Sequence, residues 1–372
     1  MRITTAGESH GKGLFAIVEG FISGLLVDVD KINAELARRQ SGYGRGDRQK
    51  IERDSVEILS GVIGGKTTGS PITLAVLNRD YENWKEALSC GQCAGKPLTA
   101  PRPGHADLAG MKKYKTADAR NVSERASARE TAIRVAVGAL CRQLLEQLNV
   151  FVTGYVRSVG EVEDQNEYAF AKIQSCRGEL LGMMGKEQEA KALIDRAREQ
   201  GDTLGGVLEV RVSGLKSGFG SCMTYAEKLD ARLAAAVMSV QAIKGVEFGL
   251  GFESAKKVGS KLHDEIFSEN EALVRGSNRA GGIEGGTSNG EEIVLRAAMK
   301  PLPTVKCGLA TVDTITGEKT LSATERSDVC AVTACEQVLE SVVCSELCQV
   351  VLERLGGDTL EEVLERYGRL LK

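Results

Sequence analysis

The chain has few histidines and few aromatic residues. Only 3 of its 372 residues are histidines, and aromatic residues make up 4% of the total. The core must therefore be filled by Leu, Val, Ile and Ala. Single-stranded nucleic-acid sites combine basic grooves with aromatic rings on which bases stack. The scarcity of such rings, together with the lack of any run of like charge, argues against nucleic-acid binding.

Long apolar runs and linkers are also missing. No apolar segment reaches the roughly 18–20 residues that a membrane span requires, and no charged-then-apolar leader opens the sequence. We therefore expect a soluble, cytoplasmic protein with no membrane association. Because no Pro- or Ser-rich linker divides the chain, residues 1–372 are predicted to form a single domain.

The ten cysteines are too few for a disulfide scaffold in a chain of this length. Cys90 and Cys93 form one pair, and Cys344 and Cys348 form another on a predicted helix. Either pair could bind a metal or act in redox chemistry, but ordinary reduced thiols are the favoured interpretation.

Charge is distributed unevenly along the sequence. Residues 1–135 carry a net charge of +5, whereas the remainder carries −8. Scattered arginines in a basic first third favour an anionic small-molecule ligand.

Two of the three histidines lie in glycine-lined, charge-rich segments. His10 lies in residues 7–11 (GESHG) and His105 in residues 101–107 (PRPGHAD). Histidine carries a proton in either direction near neutral pH, and glycine lets the backbone approach a ligand closely. The pattern indicates one site of acid–base chemistry. The alternative is two loop histidines that cap turns.

Periodicity predicts helices and strands in irregular order, which is typical of an α+β fold. Residues 78–124 show little periodicity, and we interpret them as a ligand-covering loop. Ser127 and Glu130 have the spacing of a capping box at the start of a long buried helix. The predicted strands are 14–18, 56–63, 71–77, 151–162, 207–213 and 246–252, and the predicted helices are 30–40, 128–148, 186–200, 227–243 and the last forty residues.

Two glycine-rich stretches carry further hypotheses. Residues 281–290, followed by a predicted strand, are similar to residues 60–76, which indicates an internal duplication. Neither stretch has the context of a Rossmann or P-loop nucleotide site, since residue 60 is Ser where a P-loop requires Gly. The helix start near Arg125 and Ser127 could bind phosphate or could be a plain helix cap.

Seven motifs, in their order along the chain, resemble those of the chorismate synthase family. The resemblance covers residue 1 to about residue 350. The motifs are residues 7–11 (GESHG), 45–48 (RGDR), 102–107 (RPGHAD), 125–130 (RASARE), 281–286 (GGIEGG), 300–304 (KPLPT) and 326–328 (RSD).

The resemblance implies a 1,4-anti elimination of phosphate from 5-enolpyruvylshikimate 3-phosphate, which gives chorismate. The reaction requires reduced FMN although no net oxidation occurs. The family fold is a sandwich of helices and antiparallel sheets, assembled as a homotetramer. NADPH reduces the flavin in some members, and a separate flavin reductase is the other source.

Residue roles are carried over from the family motifs. His10 is implied to protonate the leaving phosphate, His105 to balance charge beside the flavin, and Asp328 to help flavin N5 take the ring proton. Arg39 and Arg45 match NADPH positions, and Arg48, Arg129 and Arg134 are candidate substrate ligands. The implied FMN contacts are Arg125, Ala126, Ser127, Gln241, Ala242, Gly285, Lys300, Pro301, Leu302, Pro303, Thr304 and Arg326.

The sequence departs from the family pattern at three places, one of which is Thr287, where Ile is common. Ala126 stands where many members have Ser, so a hydroxyl is lost at the flavin helix. Ser327 stands where another branch has His. Two other functions remain as alternatives: a flavin-dependent oxidoreductase that uses the same cleft, and a non-catalytic protein that binds a phosphorylated ligand.

Overall fold

The protein is built from helices packed between two antiparallel sheets. The computed structural model describes residues 1–46, 53–90, 96–179, 181–269, 272–322 and 328–370. The predicted α+β class, with helices and antiparallel sheets, is confirmed.

The first sheet has the strand order β1-β2-β7-β4, and every neighbouring pair is antiparallel. In β2, Leu14, Ala16 and Val18 are fully buried while Ile17 between them is 43% exposed. This period of two is that of a strand with one face on the core. The strands are β1 (Arg2–Gly7), β2 (Gly13–Glu19), β4 (Val56–Ser60) and β7 (Ile72–Leu77).

The second sheet has the order β11-β16-β10-β8-β9 and is also antiparallel. Its strands are β8 (Phe151–Val159), β9 (Val162–Glu163), β10 (Gly206–Ser213), β11 (Ile243–Phe248) and β16 (Ile293–Met299). Smaller sheets come from β3 (Ser23–Leu26), β5 (Val62–Ile63), β6 (Lys66–Thr68), β12 (Ile266–Glu269), β13 (Ala272–Arg275), β14 (Ile283–Glu284), β15 (Thr287–Ser288), β17 (Ala310–Val312) and β18 (Lys319–Leu321).

Two of these hairpins occupy corresponding places. Strands β5 and β6 precede β7 of the first sheet, and β14 and β15 precede β16 of the second. This order is what the proposed duplication of 60–76 and 281–290 would require, and the duplication stays a prediction.

Three helices form the layer between the sheets: α1 (Val29–Gln40), α4 (Thr131–Gln147) and α9 (Val332–Leu355). Helix α4 packs on β2 and β7, and α9 packs on β8 and β10. Gly138 makes the crossing of α4 and α9 close, because a Cβ there would lie 2.4 Å from the carbonyl oxygen of Ser341. A helix normally loses about 1 kcal/mol by having Gly in place of Ala, so the close approach explains this glycine.

A cluster of buried charges joins the same three helices. Glu340 accepts hydrogen bonds from Nη2 of Arg142 and from Nη2 of Arg177, both at 2.6 Å. Nη2 of Arg38 lies 2.7 Å from Oε2 of Glu336. The cluster pairs three carboxyl groups with three guanidinium groups, so each buried charge has a partner. Its members are Glu35, Arg38, Arg142, Arg177, Glu336 and Glu340.

The remaining helices lie around this core. The predicted irregular region 78–124 contains two of them and a 3₁₀ turn at Arg79–Asn83. They are α2 (Asp107–Tyr114), α3 (Arg120–Ala126), α5 (Phe170–Ser175), α6 (Glu187–Gln200), α7 (Leu229–Met238), α8 (Gly259–Leu262) and α10 (Leu360–Gly368). Three further 3₁₀ turns are Ala128–Glu130, Tyr225–Glu227 and Gly251–Lys256.

The predicted capping box at Ser127 is wrong. The Ser127 hydroxyl accepts from the backbone N–H of Arg129 at 3.3 Å and caps the 3₁₀ turn. Glu130 does not reach back, because its carboxylate accepts the hydroxyl of Thr5 at 2.9 Å. The helix predicted over 227–243 is shorter than expected and spans Leu229–Met238, and the left-handed φ of 71° at Ala242 excludes that residue from a helix.

Within the described ranges, no helix is long and apolar enough to cross a membrane. Cys344 and Cys348 are buried in α9, and Cys93 lies outside the described residues. Among the residues that can be described, no group of three or more His, Cys, Asp or Glu side chains could hold a metal ion.

Candidate active site

A cavity of about 410 Å³ lies between the first sheet, the helical layer and the loops before α2 and α9. It brings together most of the residues singled out from the sequence. Those on its wall are His10, His105, Asp328, Arg39, Arg45, Ala126, Ser127, Arg129, Gln241, Ala242, Lys300, Leu302, Pro303 and Thr304.

His10 lies in the tight connection between β1 and β2. The connection needs Gly7, whose φ is 116° and whose Cβ, if present, would lie 2.3 Å from the carbonyl oxygen of Gly13. Nδ1 of His10 lies 2.8 Å from Oε1 of Glu124, and the ring stacks on Trp84 with 4.2 Å between ring centroids. The imidazole is therefore held on two sides at the cavity wall.

Asn78 connects this loop to the cationic part of the wall. Its Nδ2 donates to the carbonyl oxygens of Glu8 and Gly11, at 3.2 and 2.8 Å. Its Oδ1 accepts from Nε of Arg129 at 2.9 Å, and Nη1 of Arg129 donates to Oδ2 of Asp54 at 2.7 Å. The position of Arg129 is thus fixed by the same residue that shapes the His10 loop.

His105 belongs to a second histidine–carboxylate pair. Its Nδ1 lies 2.5 Å from Oδ1 of Asp107, the first residue of α2, and Nε of Arg102 donates to Oδ2 of Asp107 at 2.8 Å. Burial opposes ionisation of Asp107, but the hydrogen bonds from His105 and Arg102 outweigh it and hold its pKa well below the usual range. Lys300 closes this corner by donating to the carbonyl oxygen of Gly104 at 2.5 Å.

Arg39, at the end of α1, is almost fully buried in the wall. Its Nε donates to the hydroxyl of Thr131 at 2.9 Å and its Nη2 to the carbonyl oxygen of Ala128 at 3.0 Å. Burial, with Arg129 and Arg45 nearby, lowers the pKa of Arg39 to about 9 although Asp54 opposes the change. The guanidinium remains cationic at neutral pH.

Nε of Arg45 and Oε1 of Gln241 are buried polar atoms of the wall that have no hydrogen-bond partner among the described residues. Next to Gln241, Ala242 holds its left-handed φ, and its carbonyl oxygen accepts the backbone N–H of Lys300 at 2.9 Å. Unpaired buried groups and strained backbone are costly and are typical of ligand sites.

Four predicted residues do not line the cavity: Arg125, Arg134, Gly285 and Pro301. Nη2 of Arg125 donates to the hydroxyl of Thr5 at 2.7 Å, along β1. Nη2 of Arg134 donates to the hydroxyl of Ser239 at 2.8 Å, and burial lowers the pKa of Arg134. Gly285 lies in the β14–β15 turn, at a φ of 59°. Arg48 and Arg326 lie outside the described residues.

The structure adds residues that the sequence did not reveal, namely Glu124, Trp84, Asn78 and Asp54. Glu124 directly precedes the 125–130 motif, but nothing in its local pattern indicates a histidine 114 positions away as its partner. Together, the wall presents two imidazoles, the carboxylates of Glu124 and Asp328, and several guanidinium groups, so it can bind an anionic ligand and move protons.

The proteins that match this chain along nearly its whole length are chorismate synthases. The family model for chorismate synthase matches residues 1–352. The chorismate synthase of Syntrophotalea carbinolica is 50% identical over 100% of this chain and 99% of the relative. That of Pelobacter propionicus is 52% identical over 99% of this chain and 97% of the relative.

A solved structure agrees with the sequence comparisons. A crystal structure of chorismate synthase superposes with a TM-score of 0.79 at 41% identity, covering 99% of this chain and 96% of the other. The chain therefore belongs to the chorismate synthase family, lyases of the shikimate pathway to aromatic amino acids that use a reduced flavin.

Proposed function

We propose that this chain eliminates phosphate from 5-enolpyruvylshikimate 3-phosphate to give chorismate, with reduced FMN in the cavity. The observation that carries the proposal is that His10, His105 and Asp328 share one wall with buried arginines. In the reaction, the C–O bond to phosphate breaks and a ring proton leaves from the other end of the allylic system. Substrate and product are at the same oxidation level.

The arginines account for binding of the substrate. It carries a phosphate and carboxylates, which guanidinium groups bind through paired N–H donors. Arg39, Arg45 and Arg129 supply this charge from the wall. Arg39 and Arg129 are 6% and 7% exposed, and the side chain of Arg45 is 9% exposed. Arg134, which is tied to Ser239, is a weaker candidate for this role than it was from the sequence.

His10 is the proposed general acid. Because Nδ1 is engaged by Glu124, Nε2 is the ring atom left to protonate the departing phosphate oxygen. Asp328 is the proposed acceptor of the ring proton. Its Oδ1 accepts the backbone N–H of Gly46 at 2.6 Å, which fixes the carboxylate on the wall.

The wall also fits a flavin. A flavin ring has both hydrogen-bond donors and acceptors, so it can pair with the partnerless Oε1 of Gln241, and its phosphate suits Lys300. Ala126, Ser127, Ala242, Leu302, Pro303 and Thr304 would complete the FMN site. When bound, the reduced flavin supplies electron density to the reacting ring of the substrate. His105, held by Asp107, would supply a positive charge or a hydrogen-bond donor beside the reduced ring.

Two further parts of the proposal concern partners. NADPH would reduce the flavin at Arg39 and Arg45, with a separate flavin reductase as the other source. Anaerobic NADPH oxidation with free FMN distinguishes them. A homotetramer is supported by large apolar side chains left exposed on the single chain, among them Met223, Tyr225, Phe252 and Leu273.

One anaerobic assay tests the function. The protein is incubated with reduced FMN and 5-enolpyruvylshikimate 3-phosphate, and phosphate, chorismate absorbance and flavin oxidation are followed together. Phosphate and chorismate should form in equal amounts while the flavin stays reduced. Stoichiometric flavin oxidation would instead indicate an oxidoreductase, and no phosphate release would indicate a binding protein.

A further inference from the structure

We propose that Glu124 is a positioning residue that sets the tautomer and the direction of the His10 imidazole. The inference rests on the proposed function, because it concerns the general acid of that reaction. Glu124 contacts His10, and its effect on the substrate is exerted through His10.

Both carboxylate oxygens of Glu124 contact the same histidine. Oε2 accepts the backbone N–H of His10 at 2.8 Å, and Oε1 lies 2.8 Å from Nδ1. The first contact fixes the main chain and the second fixes the ring, so the side-chain torsions of His10 are set from both ends. Trp84, stacked on the ring at an interplanar angle of 23°, blocks rotation out of this plane.

Glu124 is buried, and its main chain is also bonded to the His10 loop. The residue is 8% exposed and lies in α3, whose main chain also receives the loop, since the carbonyl oxygen of Glu124 accepts the N–H of Ser9 at 3.0 Å. The loop carrying His10 therefore makes three hydrogen bonds to the oxygens of one residue of α3.

The chemistry of a carboxylate determines the tautomer. An ionised carboxylate only accepts hydrogen bonds, so Nδ1 of His10 must carry a proton and donate it. Nε2 is then the atom that exchanges a proton with a ligand in the cavity. His105 also has a carboxylate at Nδ1, that of Asp107, but Nη2 of Arg102 lies 3.2 Å from the same nitrogen, so the argument for a protonated Nδ1 is made for His10 alone.

The matched test compares Glu124→Gln with Glu130→Gln. A glutamine at 124 keeps the size of the side chain but has one acceptor for two donors, and its NH₂ group favours a deprotonated Nδ1. We expect Glu124→Gln to lower kcat at least tenfold with KM changed less than threefold. Glu130 is equally buried but bonds to Thr5, so Glu130→Gln should keep kcat within twofold.

A double-mutant cycle tests whether Glu124 acts through His10. If it does, Glu124→Gln lowers kcat no further in a chain that already carries His10→Ala. Additive losses, or a kcat of Glu124→Gln equal to that of the unmodified protein, would overturn the proposal.

A second readout is independent of activity. The chain has only three histidines, so ¹⁵N-histidine labelling gives few ring signals, and His10→Ala assigns those of His10. We expect a protonated Nδ1 at pH 8 in the unmodified protein and a change of tautomer in Glu124→Gln. Unchanged His10 signals would refute the positioning role. An unmodified protein that forms no chorismate would refute the proposed function, while the labelling experiment would still decide the role of Glu124.

Discussion

Nη1 of Arg45 lies 2.9 Å from Oδ2 of Asp328 at the cavity wall. The proposed proton acceptor and a proposed anion-binding residue are therefore one ion pair. Nε of Arg45 is buried beside this pair and has no partner among the described residues. Arg45 can thus bind a ligand anion while its ion pair with Asp328 stays intact.

Arg45→Lys tests this double role. Lysine keeps the positive charge next to Asp328 but loses the second donor direction of the guanidinium fork. A hydrogen bond to a charged group contributes about 1.5–3 kcal/mol, so we expect KM for the phosphorylated substrate to rise at least tenfold. Steady-state kinetics should show kcat within threefold. An unchanged KM would mean that Arg45 does not bind the substrate.

His10→Ala tests the general acid. Loss of a positioned acid typically costs 10²–10⁴-fold in rate, and we expect turnover to fall at least tenfold. FMN should still bind, because His10 lies on the β1–β2 connection and not among the residues proposed to hold the flavin. Flavin fluorescence titration measures binding separately from turnover. Full activity in this variant would remove His10 from the mechanism.

Glu336 is expected to make stability depend on pH. Burial raises its pKa to about 8 although Arg38 opposes the shift. The folded state keeps this proton up to a higher pH than the unfolded chain, in which the pKa is near 4.5. The folded state therefore loses stability as the pH rises from about 5 to 8. The loss is on the order of 1 kcal/mol per pH unit.

Glu336→Gln mimics the protonated form and should remove this dependence. Urea unfolding between pH 5 and 8 should therefore give a smaller fall in the free energy of unfolding for Glu336→Gln than for the unmodified protein. Parallel pH curves for the two proteins would show that Glu336 stays ionised in the folded state.

Gly138→Ala tests the close crossing of α4 and α9. The added methyl group would lie 2.4 Å from the carbonyl oxygen of Ser341, so one helix must shift. Overpacking of this kind costs about 1–3 kcal/mol. Gly368→Ala is the control, since a Cβ at that position in α10 meets nothing within 4 Å. Chemical unfolding should show a loss of stability for Gly138→Ala and no loss for Gly368→Ala.

Local chemistry made the two histidine loops predictable. The glycines around His10 and His105 indicated backbone close to a ligand, and the structure places both residues on one cavity wall. The long buried helix was also predictable, because its apolar residues continue around all faces and leave no exposed stripe. These features depend on neighbours in sequence.

Contacts between distant segments could not be predicted in this way. Glu130 has the spacing of a capping residue, but Thr5, 125 positions away, offers it a better hydrogen bond. Glu124 meets His10 only because α3 packs beside the β1–β2 connection. The left-handed φ of Ala242 likewise has no signal in the sequence, since alanine is a good helix former.

The order of the wall residues along the chain has a consequence for biosynthesis. The cavity is lined by residues from Ser9 to Val338, so a growing chain on the ribosome has almost every wall segment before it has α9. Until α9 emerges, the apolar surface of α4 lacks its main partner and is open to aggregation. We therefore expect the cofactor to bind only after α9 has packed on α4.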